Sequence, residues 1–452
     1  MCALKSYKSW WDRELLSHDR LGRVFERLRT KALGSPQLLR SAPVHKEFPL
    51  WWILSHSSEV QNAIRNTLKD GSPEFDVSQL KSIFMGKPRD FHLASWPDRI
   101  VLNVMAQILT ERLESLLGPH VFSFRKGMSN KRAIAGFCNF MKQTRTGKSR
   151  SSEVYVLKRD IAQYAYSIPH KKLMQSLLDK TDLGNSSIFY PLLVEGIRPV
   201  FRISKDSDIE ACLSVGVAVG SPILPPLENF YLIPLDQAMA EIPNSFYCRY
   251  ADDFLFASRD RSIVLHAEKR IDQIVLDLGL EVKPEKRLNL VLTSSGASER
   301  PDTFEVSSAI QWLGHRITVH SEVGPKEESY RLFRVWLYDE IRHLVMKIGR
   351  SDFEFKVKVS LLRKGLHRLF SVRTNPTLAR FLQQKANGKV MRDIAKNRVQ
   401  VLHRALVCFW KVDRRAAWRI TRQVAMTPLG VDAEEKIVKT TGATFEILRK
   451  AA

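Results

Sequence analysis

Two adjacent aspartates, Asp252 and Asp253, interrupt a run of aromatic and apolar residues that extends from Phe246 to Phe256 and reads Phe-Tyr-Cys-Arg-Tyr-Ala-Asp-Asp-Phe-Leu-Phe. Aromatic residues on both sides favour β-strands, so the pattern predicts a tight hairpin with the acidic pair at its tip. Two carboxylates held together at the base of a buried sheet require a cation. Adjacent residues of a strand point to opposite faces, and we therefore expect Asp252 to be the principal metal ligand and Asp253 to be auxiliary.

Further motifs precede and follow this hairpin in a definite order. The stretch Tyr-Val-Leu-Lys-Arg-Asp-Ile at 155–161 contains a third aspartate, Asp160. The other motifs are Lys-Pro-Arg-Asp-Phe-His-Leu-Ala-Ser-Trp-Pro-Asp-Arg-Ile-Val at 87–101, Phe-Ser-Phe-Arg-Lys-Gly at 122–127, Gly-Val-Ala-Val-Gly-Ser-Pro at 216–222, Leu-Glu-Val-Lys-Pro-Glu-Lys at 280–286 and Gln-Trp-Leu-Gly-His at 311–315. Together with Tyr-Ala-Asp-Asp at 250–253, these segments resemble the bacterial reverse transcriptases, and the resemblance covers residues 87–315.

The resemblance implies an α+β fold of the right-hand polymerase type. We expect a helical N-terminal extension in residues 1–80, fingers in 81–150, a palm with an antiparallel sheet in 151–320, and a basic α-helical thumb in 321–452. The spacing of apolar residues supports the last assignment, because Trp336, Leu344 and Val345 belong to a series with three- and four-residue intervals.

The resemblance also implies a two-metal mechanism of phosphoryl transfer. We expect Asp160 and Asp252 to bridge two Mg²⁺ ions about 3.5–4 Å apart, with Mn²⁺ as a possible substitute. Carboxylate oxygens are the hard ligands that Mg²⁺ prefers. The backbone carbonyl of Ile161 is expected to complete the ligand set beside the auxiliary Asp253, and Lys286 to stabilise the leaving pyrophosphate.

Contacts with nucleotide and nucleic acid are assigned by the same resemblance. In these enzymes a basic residue of the fingers faces the incoming triphosphate, and Arg89 is our candidate, with Lys87 beside it. The loop 216–222 is expected to position nucleotide and template through Val219 and Gly220. The residues expected to contact the primer or template are Tyr250, Trp312, Gly314 and Arg249, the last of which could instead pair with a carboxylate of the palm.

Ala165 departs from the family pattern. Most reverse transcriptases place a bulky aromatic ring at this position, against the 2′ carbon of the sugar. We expect either that discrimination against ribonucleotides is weakened, or that Tyr164 or Tyr166 forms the gate instead. A shifted alignment at this point is the remaining explanation.

The tripeptide Ala218-Val219-Gly220 replaces the usual Pro-Gln-Gly. It suggests a specialised template relationship, such as short-product, repetitive or non-templated synthesis. By resemblance to the reverse transcriptases of abortive infection and phage defence, with retron and diversity-generating enzymes as relatives, we expect a noncoding RNA or a companion protein as partner. The alternative function is a catalytically degenerate scaffold that binds nucleic acid for a partner polymerase.

The charge of the chain favours a polyanionic partner. The formal net charge is +23, and residues 326–452 contain 28 Lys and Arg against 12 Asp and Glu. We expect RNA as template, DNA as product and dNTPs as substrates, with a homo-oligomer as one alternative for the assembly. The five scattered cysteines lack metal-ligand spacing. Because no apolar run has the length of a signal core or a membrane span, we expect a cytoplasmic protein without membrane contact.

Overall fold

The structure is a computed structural model that describes residues 9–33, 35–42, 47–70, 74–84, 88–143, 153–202, 210–294, 304–370, 375, 377–378, 381 and 388–425. The chain divides into two units, the first formed by Met1–Val291 and Ala297–Val306 and the second by Leu292–Gly296 and Ser307–Ala452. Within the described ranges, none of the helices combines the length and the apolar composition that a membrane span requires.

A five-stranded sheet lies at the centre of the first unit. Its strand order is β6-β7-β3-β8-β9, and β7 runs antiparallel to both β6 and β3. Phe254 and Phe256 of β7 are completely buried, which explains why these aromatic stretches form interior strands. In chain order the strands are β1 (Ser78–Phe84), β2 (Pro88–Leu93), β3 (Val154–Asp160), β4 (Val200–Arg202), β5 (Glu210–Cys212), β6 (Ser245–Tyr250), β7 (Asp253–Ser258), β8 (Leu288–Leu292), β9 (Glu305–Ser307), β10 (Ala309–Trp312), β11 (His315–Thr318) and β12 (Val323–Pro325).

A second sheet of the first unit has the order β2-β1-β4-β5. Strand β1 pairs antiparallel with β2 and parallel with β4. The N–H of His92, in β2, donates a 2.9 Å hydrogen bond to the carbonyl of Val219. This bond attaches the second sheet to the loop 216–222.

Helices pack against the central sheet, among them Asn130–Gln143 against β6 and Arg261–Asp277 against β3 and β7. Helix Trp96–Leu113 begins at Ser95, whose hydroxyl accepts a hydrogen bond from the N–H of Asp98, as expected for an N-cap. Its side chains Ile100 and Ile108 are completely buried. The helices of the first unit are Trp10–Leu15, His18–Leu33, Pro36–Leu39, Leu50–Ser55, Ser57–Lys69, Trp96–Leu113, Asn130–Gln143, Tyr164–Ser167, His170–Lys180, Phe189–Ile197, Leu224–Tyr231, Ile233–Ala240 and Arg261–Asp277, with short 3₁₀ turns at Glu114–Leu116, Leu183–Asn185 and Pro284–Lys286.

Asp12 attaches the first helix to the helix Phe189–Ile197. Its carboxylate accepts hydrogen bonds from the N–H groups of Ile188 and Phe189, at 3.1 and 3.0 Å, and from the Ser186 hydroxyl. Burial alone raises the pKa of Asp12, but these hydrogen bonds outweigh it and hold the pKa below its usual value. A charged side chain from one element thus satisfies the N-terminus of another.

The second unit combines the small sheet β10-β11-β12 with the helices Glu327–Gly349, Phe355–Leu369, Gly388–Trp410 and Arg414–Ala425. Its core contains Ile341, Val345, Leu362 and Leu406, all completely buried. The helical periodicity predicted for this region is therefore confirmed. Helices together with antiparallel sheets confirm the predicted α+β class.

Candidate active site

The hairpin between β6 and β7 carries the adjacent aspartates. Tyr250 pairs with Asp253 across the hairpin, so the turn consists of Ala251 and Asp252. Ala251 has a φ of 56°, the left-handed conformation that primed two-residue turns require at their first position. Such a conformation costs a residue with a side chain about 1–2 kcal/mol. The predicted hairpin is confirmed, and Asp253 is the first residue of β7.

Asp160 is the last residue of β3 and pairs directly with Asp253 of β7. The N–H of Ile161 donates a 3.3 Å hydrogen bond to the carbonyl of Asp252, which joins the end of β3 to the turn. Three aspartates therefore lie at the same end of the central sheet. Burial, and then the negative charge of Asp160, raises the pKa of Asp252 above its usual value, because both penalise the ionised carboxylate.

Lysines surround these carboxylates. The ammonium of Lys286 donates a hydrogen bond to Asp160 Oδ2, and Lys283 Nζ lies 3.8 Å from Asp160 Oδ1. Lys158 lies on β3, the strand of Asp160, and its Nζ is 3.9 Å from Oδ2 of Asp253 on the neighbouring strand β7. Lys286, which the sequence assigned to the leaving pyrophosphate, is thus in contact with a candidate catalytic carboxylate, and Lys283 accompanies it.

The donor atoms of Asp160 and Asp252 suit a divalent cation. Asp160 Oδ1 is buried and accepts no hydrogen bond from the part of the chain that the structure describes. A cation there would also offset the mutual repulsion that raises the pKa of Asp252. No group of three or more His, Cys, Asp or Glu side chains within the described ranges has the spacing of a complete metal site. The fit therefore depends on two carboxylates, and Mg²⁺ sites of this kind take further oxygens from substrate phosphates and water.

Arg249 pairs with a palm carboxylate, the second of its two predicted alternatives. Its Nε and Nη2 donate to Asp236 Oδ1 and Oδ2 at 2.8 and 2.6 Å, and the arginine is completely buried. Burial lowers the pKa of Arg249, but the negative charge and hydrogen bonds of Asp236, together with Tyr247 and Tyr164, outweigh burial and raise the pKa above its usual value. Complete burial is at odds with a direct contact between Arg249 and nucleic acid.

The same arginine belongs to a buried polar network that holds the turn. Arg249 Nη2 donates to the carbonyl of Asn229 at 3.0 Å, and Nη1 donates to the carbonyl of Ala251 at 3.2 Å. The hydroxyl of Ser123 donates to Asn229 Oδ1 at 2.8 Å and accepts a hydrogen bond from the N–H of Ala251 at 2.9 Å. Because both backbone groups of Ala251 are bonded to this network, the network fixes the position of Asp252.

Glu228 is a residue of the site that the sequence analysis did not assign to it. Burial, and then the negative charge of Asp252, raises the pKa of Glu228 to about 8, so the carboxyl is largely protonated at neutral pH. Its backbone carbonyl accepts a 2.6 Å hydrogen bond from the hydroxyl of Tyr164. The sequence did contain a signal, since Glu228 is the single charged residue in the stretch 222–235.

The residues assigned to nucleotide binding lie on neighbouring elements of the first unit. Arg89 is exposed on β2, and Val219 accepts the backbone hydrogen bond of His92 from the same strand. Gly220 has a φ of 99°, and a Cβ at this position would lie 3.1 Å from the carbonyl of His92. Only glycine allows this approach of the loop to β2. Lys87 lies outside the described residues.

The tyrosines on either side of Ala165 differ in accessibility. Tyr164 is 3% exposed and its hydroxyl bonds to Glu228, so its ring belongs to the core and cannot serve as a sugar gate in this conformation. Tyr166 is half-buried, and its hydroxyl donates to the carbonyl of Asp90 at 2.8 Å. The carbonyl of Ala165 accepts a hydrogen bond from the N–H of Val217 at 2.6 Å. Of the two tyrosines considered for the sugar gate, Tyr166 therefore remains the candidate.

Trp312 and Gly314, which the sequence assigned to nucleic-acid contact, belong to the second unit. Trp312 ends β10 and pairs with His315 of β11, so Leu313 and Gly314 form a two-residue turn. Both have positive φ, 47° and 77°, as type I′ turns require. Trp312 is 1% exposed, and this burial indicates a packing role for its ring. The half-buried Tyr250 and the turn at Gly314 remain candidates for contact.

Comparisons with known proteins identify one family. Residues 73–317 match the family described as reverse transcriptase (RNA-dependent DNA polymerase). Among the curated proteins, no sequence matches significantly.

Solved structures of telomerase are similar at low identity. Apo telomerase from Candida tropicalis, truncated from the C-terminal domain, is 14% identical, with 60% of each chain covered and a TM-score of 0.43. Telomerase from Candida albicans in complex with a fragment of telomeric RNA is 11% identical, with 95% of this chain and 75% of that chain covered and a TM-score of 0.43. The full apo structure from Candida tropicalis is 12% identical, with 85% and 73% covered and a TM-score of 0.44.

Proposed function

The chain belongs to the reverse transcriptase family, and we propose that it is an active RNA-directed DNA polymerase that adds dNTPs to a primer end. The observation that carries this proposal is the pairing of strands β3 and β7, which brings Asp160 next to Asp253 and to the turn with Asp252. A protein that only binds nucleic acid gains nothing from carboxylates that repel one another. Ionisable side chains whose pKa is shifted by burial and by a neighbouring charge cluster at functional sites.

Asp160 and Asp252 are the residues that would hold Mg²⁺, with Asp253 and the carbonyl of Ile161 as auxiliary ligands. When bound, the metal ions lower the pKa of the primer hydroxyl and neutralise charge on the transferred phosphoryl group. The role of the chain is to present two ionised carboxylates in fixed positions. The network of Ser123 and Arg249 performs this task for Asp252, because it bonds both the N–H and the carbonyl of the preceding Ala251.

Lys286 and Lys283 provide positive charge beside these carboxylates. Lys286 contacts Asp160 and is 42% exposed at its side chain, so its ammonium can reach a phosphate that approaches the site. In the proposed reaction it donates a proton or a hydrogen bond to the leaving pyrophosphate. Arg89, which is exposed on β2, is proposed to bind the incoming triphosphate, since a guanidinium matches phosphate oxygens in pairs.

Primer extension by the purified protein tests this proposal. We expect incorporation of labelled dNTPs with Mg²⁺ on an RNA template, and a loss of at least a thousandfold for Asp252→Asn, since the amide cannot replace a charged metal ligand. The matched control is Asp339→Asn, an exposed aspartate of the second unit. Equal rates for wild type and Asp252→Asn would contradict the proposal, and no product from either would favour the alternative of a nucleic-acid-binding scaffold.

The biological setting of this polymerase is a further part of the proposal. The defence role, the noncoding RNA or companion protein, and specialised or non-templated synthesis are supported by the sequence resemblance and by the replaced tripeptide 218–220. Sequencing of the DNA that the protein makes with its copurified RNA tests these points together. A product that copies the RNA establishes the template, whereas DNA without a matching RNA indicates non-templated synthesis.

A further inference from the structure

We propose that a cleft of the first unit, next to the loop 216–222, binds a phosphate group through Arg99, His92 and Ser221. The three polar side chains line the same cleft, together with apolar residues such as Phe75 and Pro222. None of the three has a role in the chemistry proposed above. The inference rests on the proposed function in one respect, namely that the phosphate belongs to a nucleic-acid strand or to a dNTP.

Arg99 supplies the positive charge of the cleft. Its guanidinium lies 5.7 Å from the centre of the Trp96 ring, but no carboxylate or carbonyl within the described residues accepts a hydrogen bond from it. Burial lowers the pKa of Arg99, and no nearby negative charge offsets this effect. The buried arginines Arg159 and Arg249, by contrast, each pair with a carboxylate. Arg99 is half-buried, so its guanidinium is accessible from the cleft and has no counter-ion within the described residues, and phosphate is an anion that matches its planar set of donors.

His92 and Ser221 supply two more polar atoms. His92 is 6% exposed, and its Nδ1 is buried without a hydrogen-bond partner in the part of the chain that the structure describes. The hydroxyl oxygen of Ser221 is also buried and has no hydrogen-bond partner among the described residues. Buried polar atoms are bonded in the great majority of cases, and here two exceptions line one cleft with an unpaired arginine. A phosphate oxygen accepts hydrogen bonds from all three types of donor.

The surroundings of the cleft are compatible with an anion. Asp76 also borders it, but this side chain is exposed, and its backbone N–H donates to Asp98 at 2.9 Å. Ser221 directly follows Gly220, and His92 is bonded to Val219. The cleft therefore adjoins the loop that we assign to nucleotide and template, so a strand phosphate and a dNTP phosphate are the two sources to distinguish.

Salt-dependent binding of a labelled 12-nucleotide RNA to the full-length protein tests the site. Each phosphate contact on a single strand contributes about 0.7 to the slope of log K against log salt. We expect Arg99→Gln to reduce the slope by about this amount and to weaken binding roughly tenfold, the effect of a lost charge-assisted hydrogen bond. Ser221→Ala, a small change, is expected to weaken binding about threefold, since a neutral hydrogen bond is worth less.

Two controls separate binding from folding. Arg270→Gln removes the same charge from an exposed arginine that is paired with Glu241, and we expect its slope to equal that of wild type. Without nucleic acid, the melting temperature of Arg99→Gln is expected to stay close to that of wild type, because the Arg99 side chain forms no ion pair or hydrogen bond within the described residues that the substitution would break. An unchanged slope for both Arg99→Gln and Ser221→Ala, together with an unchanged KM for dTTP in primer extension, would overturn the proposal.

The KM for dTTP in primer extension identifies the source of the phosphate. An increase of about tenfold in KM for Arg99→Gln, with an unchanged RNA slope, assigns the cleft to the triphosphate. A reduced slope with unchanged KM assigns it to the strand, and no change in either measurement contradicts the phosphate site. The RNA measurement does not require DNA synthesis, so it tests the cleft even if the polymerase proposal fails.

Discussion

The guanidinium of Arg249 and the carboxylate of Asp236 form a two-point ion pair from which water is excluded, with exposed side-chain fractions of 0% and 4%. The hydroxyl of Tyr247 also donates to Asp236 at 2.8 Å. The pair lies directly before the turn that carries Asp252. Its presence explains how a strand next to the candidate catalytic aspartates tolerates a buried arginine.

We predict that Asp236→Asn destabilises the protein by about 3–5 kcal/mol, because Arg249 then remains buried without a compensating charge. Urea unfolding at neutral pH measures the change. Arg270→Gln, which breaks an exposed pair, is expected to cost less than about 1 kcal/mol. Similar losses of unfolding free energy for Asp236→Asn and Arg270→Gln would mean that the buried ion pair stabilises the protein no more than the exposed one.

Asp12→Ala is expected to destabilise the protein by about 2–3 kcal/mol at neutral pH, since several buried hydrogen bonds to a charged group are lost. The folded-state pKa of Asp12 is depressed, so its contribution is present above the unfolded-state pKa and is lost as the pH falls through the folded-state pKa. The difference in unfolding free energy between wild type and variant should therefore shrink below about pH 4. A difference that stays constant down to pH 2 would contradict this assignment.

Glu228→Gln is expected to stabilise the protein at alkaline pH. In the wild type, the folded-state pKa of the Glu228 carboxyl, about 8, lies above the pKa of the same carboxyl in the unfolded chain. The folded state therefore binds more protons between these two pKa values, and the stability of the wild type declines over this range as the pH rises. The advantage of the variant should grow by about 1.4 kcal/mol per pH unit up to pH 8.

Thermal unfolding in the presence of a chelator, from pH 5 to pH 9, measures this advantage. Glu59→Gln, at an exposed position, serves as control and should stay within about 0.5 kcal/mol of wild type. An advantage of Glu228→Gln that does not depend on pH would show that the carboxyl is ionised throughout.

Ala165→Phe is expected to increase the preference for dNTPs over rNTPs by roughly tenfold or more, because a ring at this position meets the 2′-hydroxyl. The measurement is the ratio of kcat/KM values for the two substrates. Tyr166→Phe keeps its ring and loses only the hydrogen bond to Asp90, so it should leave the ratio unchanged. Comparable ratios for wild type and Ala165→Phe would refute the assignment of this position.

The elements of the site that sequence could predict are those with a local pattern. Aromatic strands around Asp252 predicted the hairpin, and the resemblance of residues 155–161 to the reverse transcriptases implied that Asp160 lies beside it. The sequence could not establish that Arg249 is buried, because its side-chain partners Asp236 and Asn229 lie 13 and 20 positions away, Ser123 lies 106 positions from Asn229, to which it bonds, and no local pattern joins them.

The side chains that were misjudged share one physical cause. Trp312 was expected to contact primer or template, and Tyr164 was one of two alternatives for the sugar gate, but both are buried. Burial removes the apolar surface of an aromatic ring from water, which stabilises the fold. Adjacency to a motif in the sequence does not reveal on which face of its element a ring lies. Only the packed structure shows whether the ring is buried or exposed to a substrate.

The register of β3 against β7 makes the length of these strands a functional property. Because side chains alternate between the two faces of a sheet, insertion or deletion of one residue in β7 would move every following side chain to the opposite face. Phe254 and Phe256 would move to the opposite face, where Leu255 and Ala257 are now buried, and the register set by the pairing of Asp253 with Asp160 would be lost along the rest of the strand. We infer that substitutions within this strand are tolerated far more readily than changes in its residue count.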